Sequence, residues 1–234
     1  MRGAPVDAYL VAGDPGRRGV GRDPLLTEII GRIGIQSPSV AYVGAASLDS
    51  RVFFLWIAAL LKKSGAGPVR LAALASRRAD PAKARSLLRD SDLVFVSGGD
   101  VDAGMRVLEM SGADAWLKEL HRSGKPFIGL SAGSIMMARS WVRWTDPDVE
   151  ETATEFPCLG LAPLICDTHA EKEEWQELQT LLRLSGAPLG YGIPAGAALR
   201  VAADGSLAAL GKPVRRITLG APLPDLAPCE ISEK

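Results

Sequence analysis

The chain has 234 residues, 47% of them hydrophobic, enough for a substantial core in one large domain and far from a disordered composition. Lys+Arg and Asp+Glu both total 27, so no overall charge draws it to nucleic acid or a membrane surface. With no charged-then-apolar leader, no apolar run of spanning length and three cysteines lacking a CxxC pair, a secreted, membrane-spanning, disulfide-framed or zinc-bound protein is not expected.

Short apolar strands alternate with amphipathic helices through the first two thirds. Strands are expected over Val6–Ala12, Val40–Gly44, Val69–Leu74, Leu93–Ser97 and Pro126–Leu130. Helical spacing runs over Pro24–Ile33, Arg51–Ser64, Pro81–Arg89 and Ala113–Arg122. Pro24 and Pro81 each follow an Asp, as first helical positions do, and Gly65, Gly112 and Gly124 suit helix ends. This alternation implies an α/β fold, a doubly wound and mostly parallel sheet with helices on both faces. After Trp144 the rhythm changes. Thr145–Pro157 is acidic and irregular, Leu164–Asp167 reads as a strand and Glu171–Leu184 as a helix. Leu189–Ile193, Ala198–Ala202, Ser206–Leu210 and Val214–Leu219 read as closing strands, partly antiparallel, with a hairpin turn at Ala203-Asp-Gly205. Residues 1–220 are read as one domain and the Pro-rich segment from Ala221 as a loose tail.

The densest chemical signal is Gly129-Leu-Ser-Ala-Gly133, set between the strand ending at Leu130 and a helix starting near Ser134. Strand, Gly-x-Ser-x-Gly and helix together form the pattern of a nucleophile elbow, whose sharp turn needs small residues beside the serine. Ser131 is therefore the candidate nucleophile, and it needs an adjacent base. Only two histidines are present. His121 falls in the last turn of a helix and reads as a cap or surface group. His169 follows a strand and so lies at the sheet edge where open α/β folds build their sites. Candidates to orient its ring are Asp146, Asp148 and Glu171. Ala132 offers one backbone donor to an oxyanion, and the Ser97-Gly98-Gly99-Asp100 turn offers the second. Gly13-Asp-Pro-Gly-Arg-Arg-Gly-Val-Gly21 lacks both the Walker ending and the dinucleotide order of glycines, so it reads as a surface or site-edge loop.

Together, Val94-Phe-Val-Ser-Gly-Gly-Asp100, Gly129-Leu-Ser-Ala-Gly-Ser134 and His169 resemble the peptidase E and cyanophycinase family of serine peptidases, whose fold is like that of the class I glutamine amidotransferases. The similarity runs from about Val6 to Val201. It implies Ser131 as nucleophile, His169 as general base, and Gly98, Gly99 and Ala132 as the oxyanion site. By spacing it implies Asp146 as third member, with Glu171 the alternative. Many relatives carry an acidic residue in the turn matching Gly192-Ile-Pro-Ala-Gly-Ala197, where this chain has Ala195.

The resemblance also implies a small-peptide substrate and no metal or organic cofactor. Peptidase E cleaves dipeptides with N-terminal aspartate, and cyanophycinase cleaves β-linked aspartyl-arginine. Here the acidic stretch Ala170-Glu-Lys-Glu-Glu174 together with Asp100 and Asp102, if they line the pocket, would disfavour an acidic side chain and favour a free amino group or a basic one. A cytoplasmic enzyme is expected, without nucleic-acid or membrane partners. Its oligomeric state is open, a homodimer included. An α/β-hydrolase esterase fits less well, because only 38 residues separate Ser131 from His169. A binding domain on the same scaffold would leave the ordered serine, histidine and Gly-Gly turn unexplained.

Overall fold

Short runs of buried apolar residues form the spine of the molecule. The computed structural model describes residues 7–13, 21–76, 79–146 and 149–229. The first part of the chain runs β1 (Ala8–Val11), α1 (Pro24–Arg32), β2 (Val40–Val43), α2 (Arg51–Lys63), β3 (Val69–Leu71), α3 (Pro81–Asp90), β4 (Leu93–Val96), α4 (Val101–Ser111), α5 (Ala113–Arg122), β5 (Phe127–Leu130) and α6 (Ala132–Met137). β1, β2 and β4 are buried at every position, as parallel strands covered on both faces must be. Side-chain caps fix where the helices start: Asp23 accepts the Leu26 N–H, Ser50 that of Phe53, Asp80 that of Lys83 and Asp100 that of Ala103.

The remainder comprises β6 (Ser140–Trp144), β7 (Ala153–Pro157), β8 (Cys166–Thr168), α7 (Gln176–Ser185), β9 (Gly190–Ile193), β10 (Ala198–Val201), β11 (Leu207–Leu210) and β12 (Arg215–Ile217). The main sheet has seven strands in the order β11-β10-β1-β5-β4-β2-β3. Its five N-terminal strands are parallel, whereas β10 and β11 run antiparallel beside β1. β12, β9 and β8 form a second sheet, and β6 and β7 a hairpin. Alternate residues of β1 feed separate cores. Ala8 and Leu10 face the side carrying α4, α5, α6 and the second sheet, and Tyr9 and Val11 face α1 and α2.

The expected strands and helices of the first part are found with ends within three residues. Several features differ from the reading of the sequence. α4 forms behind its Asp100 cap. The segment taken as irregular contains β7, paired with β6 from Ser140↔Pro157 to Trp144↔Ala153. The helix expected from Glu171 begins only at Gln176, because Glu174 and Trp175 hold φ of 51° and 61°. Trp175 leaves the helical path to place its buried ring over Gly192, where a Cβ would lie 2.7 Å from the ring. Beyond Ala221, the described residues are tied to the fold. Val214 and Leu226 exchange backbone hydrogen bonds of 3.0 and 2.8 Å, and the Cys229 N–H donates to Ala209 O at 3.0 Å.

Candidate active site

Ser131 stands where β5 hands over to α6, between the ends of β1 and β4. Its backbone is at φ 52°, ψ −122°, a conformation L-residues avoid and tight packing must hold in place. The Ser131 N–H donates to Val11 O at 2.8 Å, and the buried Ser134 hydroxyl donates to the same carbonyl at 2.9 Å. The flanking glycines are required by contact. A Cβ on Gly129 would sit 2.7 Å from Ser134 Cα, and one on Gly133 would sit 2.1 Å from Val96 O.

His169 follows β8 at φ 46°, and its N–H donates to Ile193 O at 2.9 Å. Ser131 Oγ lies 2.7 Å from His169 Nε2, within proton-transfer reach. Among the described residues, no hydrogen bond or ion pair joins the ring's other nitrogen to a carboxylate. Glu171 lies two residues along the same loop, and its Oε1 accepts the Ala195 N–H at 2.6 Å. The histidine loop is thereby fastened to the turn between β9 and β10. Asp146 is exposed in the turn after β6, where its N–H donates to Thr152 Oγ1 at 3.1 Å and its carbonyl accepts from that hydroxyl at 2.7 Å. Asp148 lies outside the described residues, as does most of the Gly13–Gly21 loop.

The Gly98-Gly99 turn closes on the serine. A Cβ on Gly98 would meet Ser131 Cβ and Leu130 O, each at 3.2 Å. Gly99 adopts φ +142°, and a Cβ there would lie 2.0 Å from Ala46 O. Ala132 is the first residue of α6, so its N–H has no intrahelical acceptor. Asp100 and Asp102 stand apart from the cavity above the serine. Asp100 caps α4 with a 2.7 Å bond to Ala103, and Asp102 pairs with Arg106 at 2.6 Å and Arg143 at 3.1 Å. His121 is half-buried edge-on against Phe127, and burial lowers its pKa.

One buried carboxyl escaped the sequence reading. Asp167, in β8 two residues before His169, is 4% exposed. Its Oδ1 accepts the Thr168 N–H at 2.6 Å, and its Oδ2 has no hydrogen-bond partner among the described residues. Burial first, then the negative charges of Glu177, Glu173 and Glu171, push its pKa up to about 7 despite the Thr168 bond. The signal was an acid inside the apolar run Leu164-Ile-Cys-Asp167.

Among the described residues, no group of three or more His, Cys, Asp or Glu is placed to hold a metal ion, and no helix is long and apolar enough to cross a membrane. Cys158, Cys166 and Cys229 are free thiols. A cavity of about 580 Å³ opens over Ser131 and His169, bordered by Gly98 and Gly99 and walled by α1 and α2.

The model of peptidase family S51 matches residues 18–208. This chain belongs to peptidase family S51. The matched S51 span contains Ser131, His169 and the Gly98-Gly99 turn. The chain is 30% identical over 143 residues to an uncharacterized peptidase of Listeria innocua, a match covering 59% of this chain and 66% of that protein. It is 31% identical over 134 residues to a peptidase E of Streptomyces coelicolor, covering 53% and 54%. It thus spans roughly half to two thirds of the length of these two curated relatives. In fold it is similar to a peptidase from an acI-B1 Actinobacterium, with a TM-score of 0.70 over 97% of both chains at 18% identity. It is similar also to a protein of Listeria monocytogenes, with a TM-score of 0.61 over 92% of this chain and 99% of that one at 22% identity.

Proposed function

We propose that this S51 member is a serine peptidase that hydrolyses small peptides through an acyl-enzyme. The 2.7 Å approach of Ser131 Oγ to His169 Nε2 carries the reading. Neither group is competent alone at neutral pH, and their juxtaposition at a strained turn has no evident structural use. In the first step His169 Nε2 takes the hydroxyl proton while Ser131 Oγ bonds to the substrate carbonyl carbon. The oxyanion accepts hydrogen bonds from the Gly99 and Ala132 amides, with Gly98 shaping the turn. The C–N bond then breaks as the imidazolium gives its proton to the departing amine. Water, deprotonated by His169, releases the acid and restores the serine.

For the carboxylate that serves the imidazolium we favour Glu171 over Asp146. Glu171 shares the histidine's loop, and its Oε1 is held by the Ala195 N–H in the turn between β9 and β10.

The test is hydrolysis of a mixed dipeptide and tripeptide library, read by mass spectrometry, for wild type beside Ser131→Ala. Cleavage that drops by up to about a millionfold in the variant is the expected result, by analogy with other serine hydrolases. Cleavage that survives the substitution would sink the proposal.

A further inference from the structure

The cavity over Ser131 is chemically one-sided. Its wall on the α1 and α2 side presents Leu25, Phe53, Trp56 and Leu60, and Leu130 forms its floor beside the nucleophile. Phe53 and Trp56 pack ring against ring, with centroids 5.8 Å apart, and Trp56 is 52% exposed although it borders the cavity. An apolar hollow of this size is what a bound organic group fills. The described residues lining it include no Lys or Arg; the charged groups are the carboxylates of Asp23 and Glu28. Asp23 Oδ1 is occupied in capping α1, and Glu28 is paired with Arg32 at 2.7 Å. An acidic side chain placed against this wall would lose its hydration to apolar surface, and the described lining residues offer it no Lys or Arg in exchange.

We infer that this cavity receives a bulky apolar side chain, aromatic or leucine-like, from the residue that donates the scissile carbonyl. The inference rests on Ser131 as nucleophile. It specifies the acyl side because the nucleophile and the oxyanion turn both border the same hollow. The apolar wall of the described lining thus argues against an aspartyl side chain, whereas Asp100 and Asp102 do not line the cavity.

Diphenyl aminoalkylphosphonates test the two ideas separately. Attack by Ser131 Oγ forms an O–P bond and expels phenol, so each reagent reports how well its side chain seats beside the nucleophile. The full chain is treated with reagents bearing phenylalanine, leucine, alanine and aspartate side chains, alongside a generic fluorophosphonate. Labelling at Ser131 is located by mass spectrometry. The phenylalanine and leucine reagents should react about 100-fold faster than the alanine reagent, and the aspartate reagent slowest. In Trp56→Ala the phenylalanine-to-alanine ratio should fall about tenfold, with melting curves confirming that the variant folds. Leu60→Arg should raise the aspartate rate relative to phenylalanine. Ser131 labelled by the fluorophosphonate with a flat or aspartate-first ranking overturns the pocket alone, as does a ratio unmoved in Trp56→Ala. Ser131 unlabelled by every reagent overturns the nucleophile and the pocket together.

Discussion

Ser131, His169 and Glu171 illustrate how much depends on single backbone positions. Ser131 and His169 both hold positive φ, so the side chains meet only because the surrounding chain forces two unfavourable conformations. Gly99 shows the same dependence from the other side. Gly99→Ala would put a methyl 2.0 Å from Ala46 O, and we expect a soluble protein with at least about a tenfold loss in kcat from a displaced oxyanion donor. Wild-type kcat in that variant would show that the turn is not part of the chemistry. For the third member, Glu171→Gln keeps an acceptor for the Ala195 N–H but removes the charge. About a 100-fold fall in kcat is expected there, against less than tenfold for Asp146→Asn. The reverse order would return the role to Asp146. The serine, the histidine and the glycines were legible in the sequence because each is a residue type that its turn or its chemistry demands. The choice between Asp146 and Glu171 was not, since an exposed carboxylate has no local signature.

Among the elements, those that obey one rule at a time were read best. β1, β2, β4 and β5 are apolar runs closed by small residues, and α1, α2 and α3 begin at capping Asp or Ser side chains that also appear in the sequence. The errors gather where tertiary contacts outvote local preference. The stretch 171–175 has helical spacing, yet Trp175 is drawn out of register by its seat on Gly192. β7 is an exposed-and-buried strand that becomes regular only by pairing with β6. The Trp175 contact therefore should be energetically prominent. Trp175→Ala is expected to cost about 3–5 kcal/mol in denaturant unfolding, because the ring is buried between α7 and the second sheet. A cost under about 1 kcal/mol would mean that the displaced helix start has another cause.

For the molecule as a whole, Asp167 couples stability to pH. Its folded-state pKa of about 7 lies far above the ordinary aspartate value near 4, so the native state binds the proton more tightly than the unfolded chain. Its contribution is then fully present below about pH 4, declines as pH rises, and is lost by about pH 7, spanning at most roughly 4 kcal/mol. Asp167→Asn should flatten that slope and raise the denaturation midpoint at pH 8 relative to wild type. Parallel wild-type and variant curves between pH 5 and 8 would refute the coupling. At the far border of the main sheet, β11 is the last strand and has β10 on one side only. The segment through Pro228 and Cys229 lies along its other side, with Ala209 bonded to Cys229. That segment does for the sheet what a hem does for cloth. Without it, the amides and carbonyls of β11 would be free to pair with another copy. A chain ended at Asp225 is thus expected to self-associate and precipitate on warming, even while Ser131, at the end of β5 on the opposite side of β1, remains in place.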